Sequence, residues 1–291
     1  MVSVSDIDII IPFEFSFPQQ PEKLIESIKH IGQVSPILIA KIDGGKSIID
    51  GFRRVQILKA HNITPKFYEL SNLSLENALR IYIGLNAFNR RFNSIEKIRI
   101  SNFIVLNKFK IEKELISKAE LGNIYQNCQL YDFVESLSYE DKLVVIEKDI
   151  PIVLLEKLVR IAKYHKVSRI FSVIKEKRLT HQQIREFISD IYMLSMRGED
   201  VNKLLENLSS LPYGEVREKL KTVKNPVLSE MEKNFEFFAK RFNTLSINPP
   251  QNFEGETYSI DASFRSEEDL QSIINELIRL KKEWKDNPIL K

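Results

Sequence analysis

Apolar and polar positions change period several times along the first third of the chain. Ile9–Phe17 predicts an extended segment. A helix is then expected from Pro21, with Gly32 ending it, because three apolar residues recur at the 3.6-residue period: Leu24, Ile28 and Ile31. The first elements are therefore one extended segment and one amphipathic helix.

The next segments predict a small α/β domain over residues 1–92. Two short apolar runs flank the turn Asp43–Lys46, a pattern typical of a hairpin. The expected elements are the strands Pro36–Ile42 and Ser47–Asp50, a helix Gly51–His61, a strand Lys66–Leu70 and a helix Ser74–Asn86.

Residues 93–196 follow helical periodicity throughout. Helix starts are indicated where Ser138 precedes Asp141 by three residues and where Thr180 with Gln183 makes a capping-box signature. Further helical segments predict a connector over residues 197–247. The middle of the chain is therefore expected to be all-helical.

Residues 248–291 predict a strand followed by a helix. Apolar residues alternate with polar ones from Tyr258 to Phe264, which indicates a strand with one buried face. Ser266 and Asp269 then cap a helix. So few residues cannot enclose a core, so they must pack on the rest of the chain or on a second copy. The fold class expected for the whole chain is α+β and mostly helical.

The amino-acid composition excludes several kinds of partner and site. Lys plus Arg number 43 against 40 Asp plus Glu, a net charge of +3, which excludes attachment to nucleic acid or membrane by bulk charge alone. The single cysteine excludes an internal disulfide, and four scattered histidines argue against a His-rich metal site. No signal peptide or membrane-spanning run is evident, so we expect a cytoplasmic protein without a membrane partner.

The segment Ile48–Arg54 concentrates the candidate chemistry. A strand leads through Gly51 into a helix whose first turn carries Arg53 and Arg54. Helix N-termini and arginines both favour phosphate. Asp50 could cap the helix, hold a sugar hydroxyl or hold a metal-bound water. A capped helix with a solvated basic turn is the alternative that the residues leave open.

The same region resembles the N-terminal domain of the ParB-like partition proteins, within the ParB and sulfiredoxin superfamily. The resemblance lies in Leu24–Ile28, Gly32, Pro36–Ile39 and Ile49–Ala60, similar to the family's "SI…G…PI…GxRR…A" pattern. It implies a nucleoside triphosphate pocket, for CTP or ATP with Mg²⁺, at the following residues: Gly32, Pro36, Asp50, Gly51, Arg53 and Arg54. Relatives include a serine kinase, whereas sulfiredoxin activity needs a cysteine that Phe52–Arg54 does not offer.

Leu85–Glu96 is similar to the family's Glu-Asn-x-Gln-Arg motif and the "PIE" sequence that follows it. The resemblance places Asn86 and Arg90 at the phosphates, but in either register the motif glutamate is replaced by Leu85 or Asn86. The arginine of the family's "QPR" turn is also missing. We therefore expect weak, CTPase-like hydrolysis or none, and assign no metal ligands. Glu14 is a candidate base, or simply a rim residue of an edge strand.

The helical middle resembles the family's helix-turn-helix domain, in a degenerate form. The implied recognition helix is Asn123–Glu135. The candidate DNA contacts are Lys113, Lys118, Asn123, Gln126, Asn127 and Gln129. The helix contains no Lys or Arg, so DNA binding is expected to be weak. A packing domain that no longer reads bases is the alternative.

The terminal strand and helix are similar to the family's dimerisation unit, which implies a homodimer. Three hypotheses follow. The chain is a nucleotide-binding, DNA-binding partition protein or related regulator, a nucleotide-dependent kinase or nucleotidase of the same superfamily, or a non-catalytic interaction scaffold. We favour the first hypothesis. The missing motif carboxylate argues against the enzyme, and the two retained arginines argue against the scaffold.

Overall fold

The computed structural model describes residues 12–18, 22–122, 128–208 and 210–285. The chain divides into two compact units, Met1–Tyr192 and Met193–Lys291. Most described residues are helical and the strands form small sheets. The expectation of a mostly helical α+β protein is confirmed, whereas the four limits predicted above, 1–92, 93–196, 197–247 and 248–291, stay predictions.

The first unit begins with a three-stranded mixed sheet and its helices. The elements are α1 (Glu22–Ile31), β1 (Ile37–Ile42), β2 (Gly45–Asp50), α2 (Phe52–Ala60), β3 (Phe67–Glu69) and α3 (Leu75–Asn89). The strand order is β2-β1-β3, with β1 antiparallel to β2 and parallel to β3. Asp43 and Gly44 both have positive φ, 49° and 85°, which suits the two-residue turn between β1 and β2.

Further helices complete the first unit. They are α4 (Ser94–Leu106), α5 (Lys113–Lys118), α6 (Cys128–Ser136), α7 (Tyr139–Glu147), α8 (Ile152–Ala162), α9 (Ser168–Glu176) and α10 (His181–Met196), the last of which crosses into the second unit. The predicted caps are confirmed. The Ser138 hydroxyl accepts from the Asp141 N–H, and the Thr180 N–H donates to the Gln183 side chain.

The core around the sheet continues beyond the predicted α/β domain. Buried Ile37, Ile39 and Ile48 from the sheet share one hydrophobic cluster with Ile100 and Ile104 of α4. A capping box fixes the start of α4, because Asn93 and Glu96 exchange side-chain to backbone hydrogen bonds. Helix α4 is therefore held firmly against the domain that carries the candidate site.

The second unit contains α11 (Val201–Leu208), α12 (Tyr213–Lys224), α13 (Pro226–Ala239), β4 (Ser246–Asn248), a 3₁₀ turn (Gln251–Phe253), β5 (Ser259–Asp261) and α14 (Glu267–Lys285). Strands β4 and β5 form an antiparallel pair. Aromatic side chains of α13 pack with α14, including Phe238 against Trp284 at 6.4 Å between ring centroids. The predicted Ser266–Asp269 cap is confirmed.

Two local predictions are wrong, whereas the prediction of an extended segment before α1 stays a prediction. In its described part, residues 12–16 have no regular secondary structure and Phe17 lies in a bend. Ile31, predicted on the buried face of α1, is 67% exposed because it is the last residue of the helix. The predicted C-terminal strand is reduced to β5, and its residues are exposed rather than buried on one face. Its alternating pattern therefore needs another explanation.

Among the described helices, none combines the length and the apolar character that crossing a membrane requires.

Candidate functional site

The junction of β2 and α2 depends on Gly51. Its φ of +102° lies in the region that favours glycine, and a Cβ there would lie 3.1 Å from Ile37 Cγ1 and 3.3 Å from Ile37 Cα. Gly51 is the N-cap of α2, and within the described ranges no side chain caps this helix. Among these residues the first N–H groups of α2 have no side-chain acceptor, which suits an anion.

Two adjacent cavities open beside this junction. One, of about 550 Å³, is lined by Gly32, Pro36, Asp50, Arg54, Asn86 and Arg90 among others. The other, of about 190 Å³, is lined by Asp50, Gly51, Arg53, Arg54, Asn86 and Arg90 together with Ser16 and Tyr82. All eight residues predicted for nucleotide binding therefore line one cavity or both.

Arg54 and Asp50 form the shared wall of the two cavities. The Arg54 guanidinium donates to Asp50 Oδ2 at 2.9 Å and to the carbonyl oxygens of Ser35 and Pro36 at 2.7 and 3.0 Å. Asn86 Nδ2 approaches Asp50 Oδ1 at 3.3 Å. These contacts tie α2 and α3 to the loop before β1, so the wall is already assembled.

Arg53 and Arg90 converge on one buried carboxylate. Glu96, with no exposed surface, accepts from Arg53 Nη2 at 3.0 Å and from Arg90 Nη1 at 2.6 Å. Arg53 also donates to the Phe17 carbonyl, and Arg90 Nε donates to Asn86 Oδ1. Arg53 and Arg90 line the smaller cavity, Glu96 lies buried behind them, and the three side chains together carry a net charge of +1. Part of each guanidinium is already bound to Glu96.

Burial and Glu96 act in opposite directions on the two arginines. Burial lowers the pKa of Arg53, and the nearby negative charge of Glu96 only partly offsets this effect. Burial also acts to lower the pKa of Arg90, but the hydrogen bond and charge of Glu96 outweigh it and raise that pKa. Both groups stay cationic at neutral pH.

Tyr82 brings a buried hydroxyl to the same cavity. The Tyr82 hydroxyl is buried without a hydrogen-bond partner among the described residues, and Ser16 lies in the lining of the same cavity. Burial raises the pKa of Tyr82 to about 12, and the charge of Glu96 adds to the effect. The smaller cavity thus contains an unpaired donor beside a helix N-terminus.

The charged side chains that line the two cavities suit the binding of phosphate groups better than the hydrolysis of a nucleotide. Asp50 is the one carboxylate that lines either cavity within the described chain, and Arg54 and Asn86 already occupy its oxygens. The described residues contain no cluster of three or more metal-binding side chains. Because Mg²⁺ is often held by one carboxylate plus phosphate oxygens, Asp50 is the residue that could hold it. Glu14, the candidate base, is exposed, lines neither cavity and lies in the electrostatic environment of Arg99.

Comparison with known proteins adds no family. The chain matches no model of a protein family, and a search of curated proteins also finds no match.

The predicted DNA-binding residues are only partly within the described chain. Lys113 and Gln129 are exposed, at the starts of α5 and α6, and Lys118 Nζ lies 5.4 Å from the ring centroid of Phe88. Asn123, Gln126 and Asn127 lie outside the described residues. Within α6, Glu135 pairs with Arg99 and Lys142, so its charge stabilises the helix packing.

Sequence reasoning missed three residues that shape the site. Glu96 was used only to align the "PIE" sequence. Because it follows Arg90 and Arg91 at the start of a helix, it could have been predicted as an internal partner for an arginine. Gln33 links the loop before β1 to Lys66 through hydrogen bonds of 2.6 and 2.7 Å, and no local pattern indicated this. Tyr82 lies in α3 outside the motifs quoted above, and no local pattern indicated its buried hydroxyl.

Proposed function

We propose that this protein is a ParB-like nucleotide-binding and DNA-binding protein, of plasmid or chromosome partition or related regulation. The nucleotide is a triphosphate, CTP or ATP, held with Mg²⁺ in the cavities beside α2. The observation that carries the proposal is the N-terminus of α2, which no side chain of the described part of the chain caps and which opens into cavities lined by all eight predicted residues.

In this proposal the phosphates lie at the N–H groups of α2 and the free donors of the nearby arginines. Arg90 uses Nε and Nη1 internally, and a guanidinium has five N–H donors, so donors remain for a ligand. The larger cavity, with the apolar side chains Leu24, Ile28 and Leu85 in its lining, accommodates the nucleoside. Hydrolysis is weak or absent, because Asp50 is already bound by Arg54 and Asn86.

The scaffold hypothesis is the second candidate, and one observation favours it. Arg53 and Arg54 both have internal partners, Glu96 and Asp50, which would be needed for folding even if no ligand bound. In that case the arginine pair is retained for stability. The two candidates differ in whether a triphosphate stabilises the protein.

Equilibrium binding of CTP, ATP and GTP with Mg²⁺ to the full chain tests the proposal. We expect one of the three to bind and to raise the melting temperature, and inorganic triphosphate to compete with it. In Arg54→Gln the Kd should rise about 10- to 100-fold, since a hydrogen bond to a charged group contributes about 1.5–3 kcal/mol. Arg80→Gln is the control, because Arg80 pairs with Glu76 and lines neither cavity.

Absence of binding by all three nucleotides and by triphosphate would overturn the nucleotide assignment and favour the scaffold. A circular-dichroism melt of Arg54→Gln without ligand must accompany the titration, because Arg54 also contacts Ser35 and Pro36. Phosphate release at a multiple-turnover rate would instead favour the kinase or nucleotidase hypothesis.

The proposal includes a homodimer formed through the second unit. Helix α14 exposes an apolar stripe at helical spacing: Leu270, Ile274, Leu277 and Ile278. Ile260 of β5 is 45% exposed, and it lines a groove of about 450 Å³ with Tyr258, Leu277 and Trp284. The alternating pattern of the predicted strand is explained if a second copy covers this apolar surface.

A further inference from the structure

A run of basic residues in α8, α9 and their connection stands apart from the candidate nucleotide site. Between Glu156 and Glu176 the chain has six Lys or Arg residues and no Asp or Glu: Lys157, Arg160, Lys163, Lys166, Arg169 and Lys175. The net charge of the whole chain is +3, so this one segment carries a local excess of charge that the rest of the chain compensates.

The first three of these residues form one continuous surface. Lys157, Arg160 and Lys163 follow each other at three-residue intervals along α8 and its C-cap, and residues at that spacing are neighbours on a helix. Tyr164, one residue further, is 71% exposed. We name Lys157, Arg160, Lys163 and Tyr164 the α8 basic surface.

Two cations of this surface are held by neutral partners. Lys157 Nζ donates to the Ser189 hydroxyl at 2.8 Å, and Arg160 Nη1 donates to the Tyr192 hydroxyl at 2.9 Å. Both cations also lie 5.9 Å from the Tyr192 ring centroid. These contacts order the side chains without cancelling their charge, so less side-chain entropy is lost when an anion binds.

Acidic residues of α10 also lie near the α8 basic surface. Helix α10 carries Glu186 and Asp190, both half-buried, and Lys166 and Arg169 have interactions of their own. Lys157, Arg160 and Lys163 are therefore the cations of the run that belong to the α8 basic surface.

We propose that the α8 basic surface binds the phosphate backbone of double-stranded DNA, independently of sequence. The three cations span about 9 Å of helix axis, and duplex DNA carries one negative charge per about 1.7 Å, so several phosphate groups fall within reach. Backbone contacts supply most non-specific affinity, and the predicted recognition helix has no Lys or Arg to supply them. The inference rests on the proposed DNA binding and assigns its affinity to α8.

The test measures the salt dependence of duplex binding by the full chain, from about 50 to about 200 mM salt, with a duplex of mixed sequence. The variant is Lys157→Gln with Arg160→Gln and Lys163→Gln. We expect its Kd to rise about tenfold or more near 100 mM salt, and its log–log salt slope to fall by about 2 to 3. The matched control removes three exposed lysines of the second unit, Lys203→Gln with Lys219→Gln and Lys233→Gln.

The possible results distinguish DNA binding by the α8 basic surface from the effect of net charge, from absence of DNA binding and from membrane binding. If the parent protein binds duplex DNA and the α8 variant keeps the same slope, the inference is overturned and the proposed function stands. Equal losses in the variant and the control also overturn it, because net charge alone would explain them. A parent protein that fails to bind DNA at the lowest salt overturns both proposals. Binding of the α8 basic surface to phosphatidylserine vesicles instead of DNA would assign it to a membrane.

Discussion

At the scale of single residues, the candidate site depends on charges that neutralise each other inside the protein. Glu96 is buried between Arg53 and Arg90, while Asp50 faces Arg54 at the cavity wall. A buried charge is costly unless it is paired, so these carboxylates make it energetically feasible to place arginines there. The arginines that the sequence indicated for a ligand therefore also hold the fold.

Glu96→Gln should lower the free energy of unfolding by about 3–5 kcal/mol. The change leaves Arg53 and Arg90 close together without a counter-charge in a buried setting. Urea denaturation at neutral pH measures the loss. Glu69→Gln removes a half-exposed partner of Lys46 and serves as the control, for which we expect at most about 1 kcal/mol. Equal effects of the two changes would contradict a structural role for Glu96.

The raised pKa of Tyr82 should make the free energy of unfolding fall at high pH. Its pKa is raised to about 12 in the folded protein, above the unfolded value near 10. The unfolded chain therefore loses the phenolic proton first, and this contribution to stability is complete below pH 10 and disappears as pH rises towards 12. The difference in unfolding free energy between the parent and Tyr82→Phe should fall over that interval.

Urea denaturation at several pH values measures this difference. Tyr68→Phe, at an exposed tyrosine, is the matched control. A difference between the parent and Tyr82→Phe that stays constant from pH 9 to pH 12 would contradict the burial of the Tyr82 hydroxyl.

At the scale of elements, the turn from β2 into α2 determines the site. Gly51 and Gly44 both have positive φ, yet only a Cβ at Gly51 would meet neighbouring atoms, those of Ile37 and Arg54. Substitution of Gly44 therefore tests the cost of the backbone conformation alone, whereas substitution of Gly51 adds the cost of the close approach to β1.

Gly44→Ala should destabilise the protein by about 1–2 kcal/mol, since it adds only the strain of a positive φ. Gly51→Ala should cost about 1–3 kcal/mol more, because β1 must also move away from the new methyl group. Chemical denaturation of both variants provides the comparison. Similar losses would mean that the junction of β2 and α2 adjusts without strain.

At the scale of the whole molecule, the apolar stripe of α14 predicts self-association. Ile274→Glu with Leu277→Glu should convert a dimer into a monomer, because two charges would enter an apolar interface. Sedimentation equilibrium measures the mass. Leu106→Glu, at an exposed leucine of the first unit, is the control and should remain dimeric. A monomeric parent protein at concentrations near 100 µM would contradict the dimer.

Local patterns determined much of this molecule. The hairpin, the helix after Gly51, and the caps at Ser138, Thr180 and Ser266 follow from turn chemistry and hydrogen bonds within four residues. Asp50, Gly51, Arg53 and Arg54 could be named for a similar reason, since they belong to one short strand, turn and helix start. The other four candidate site residues came only from the resemblance to the ParB-like family: Gly32, Pro36, Asn86 and Arg90.

Only the tertiary structure decided which charges face each other. Arg53 and Glu96 are far apart along the chain, and they meet because α4 packs on the same core as the sheet. The burial of Ile31 and of the alternating positions around Ile260 also depended on which surfaces come together, so the periodic pattern alone predicted it wrongly. Periodicity and caps act between neighbours in sequence, whereas burial and charge pairing act between neighbours in space.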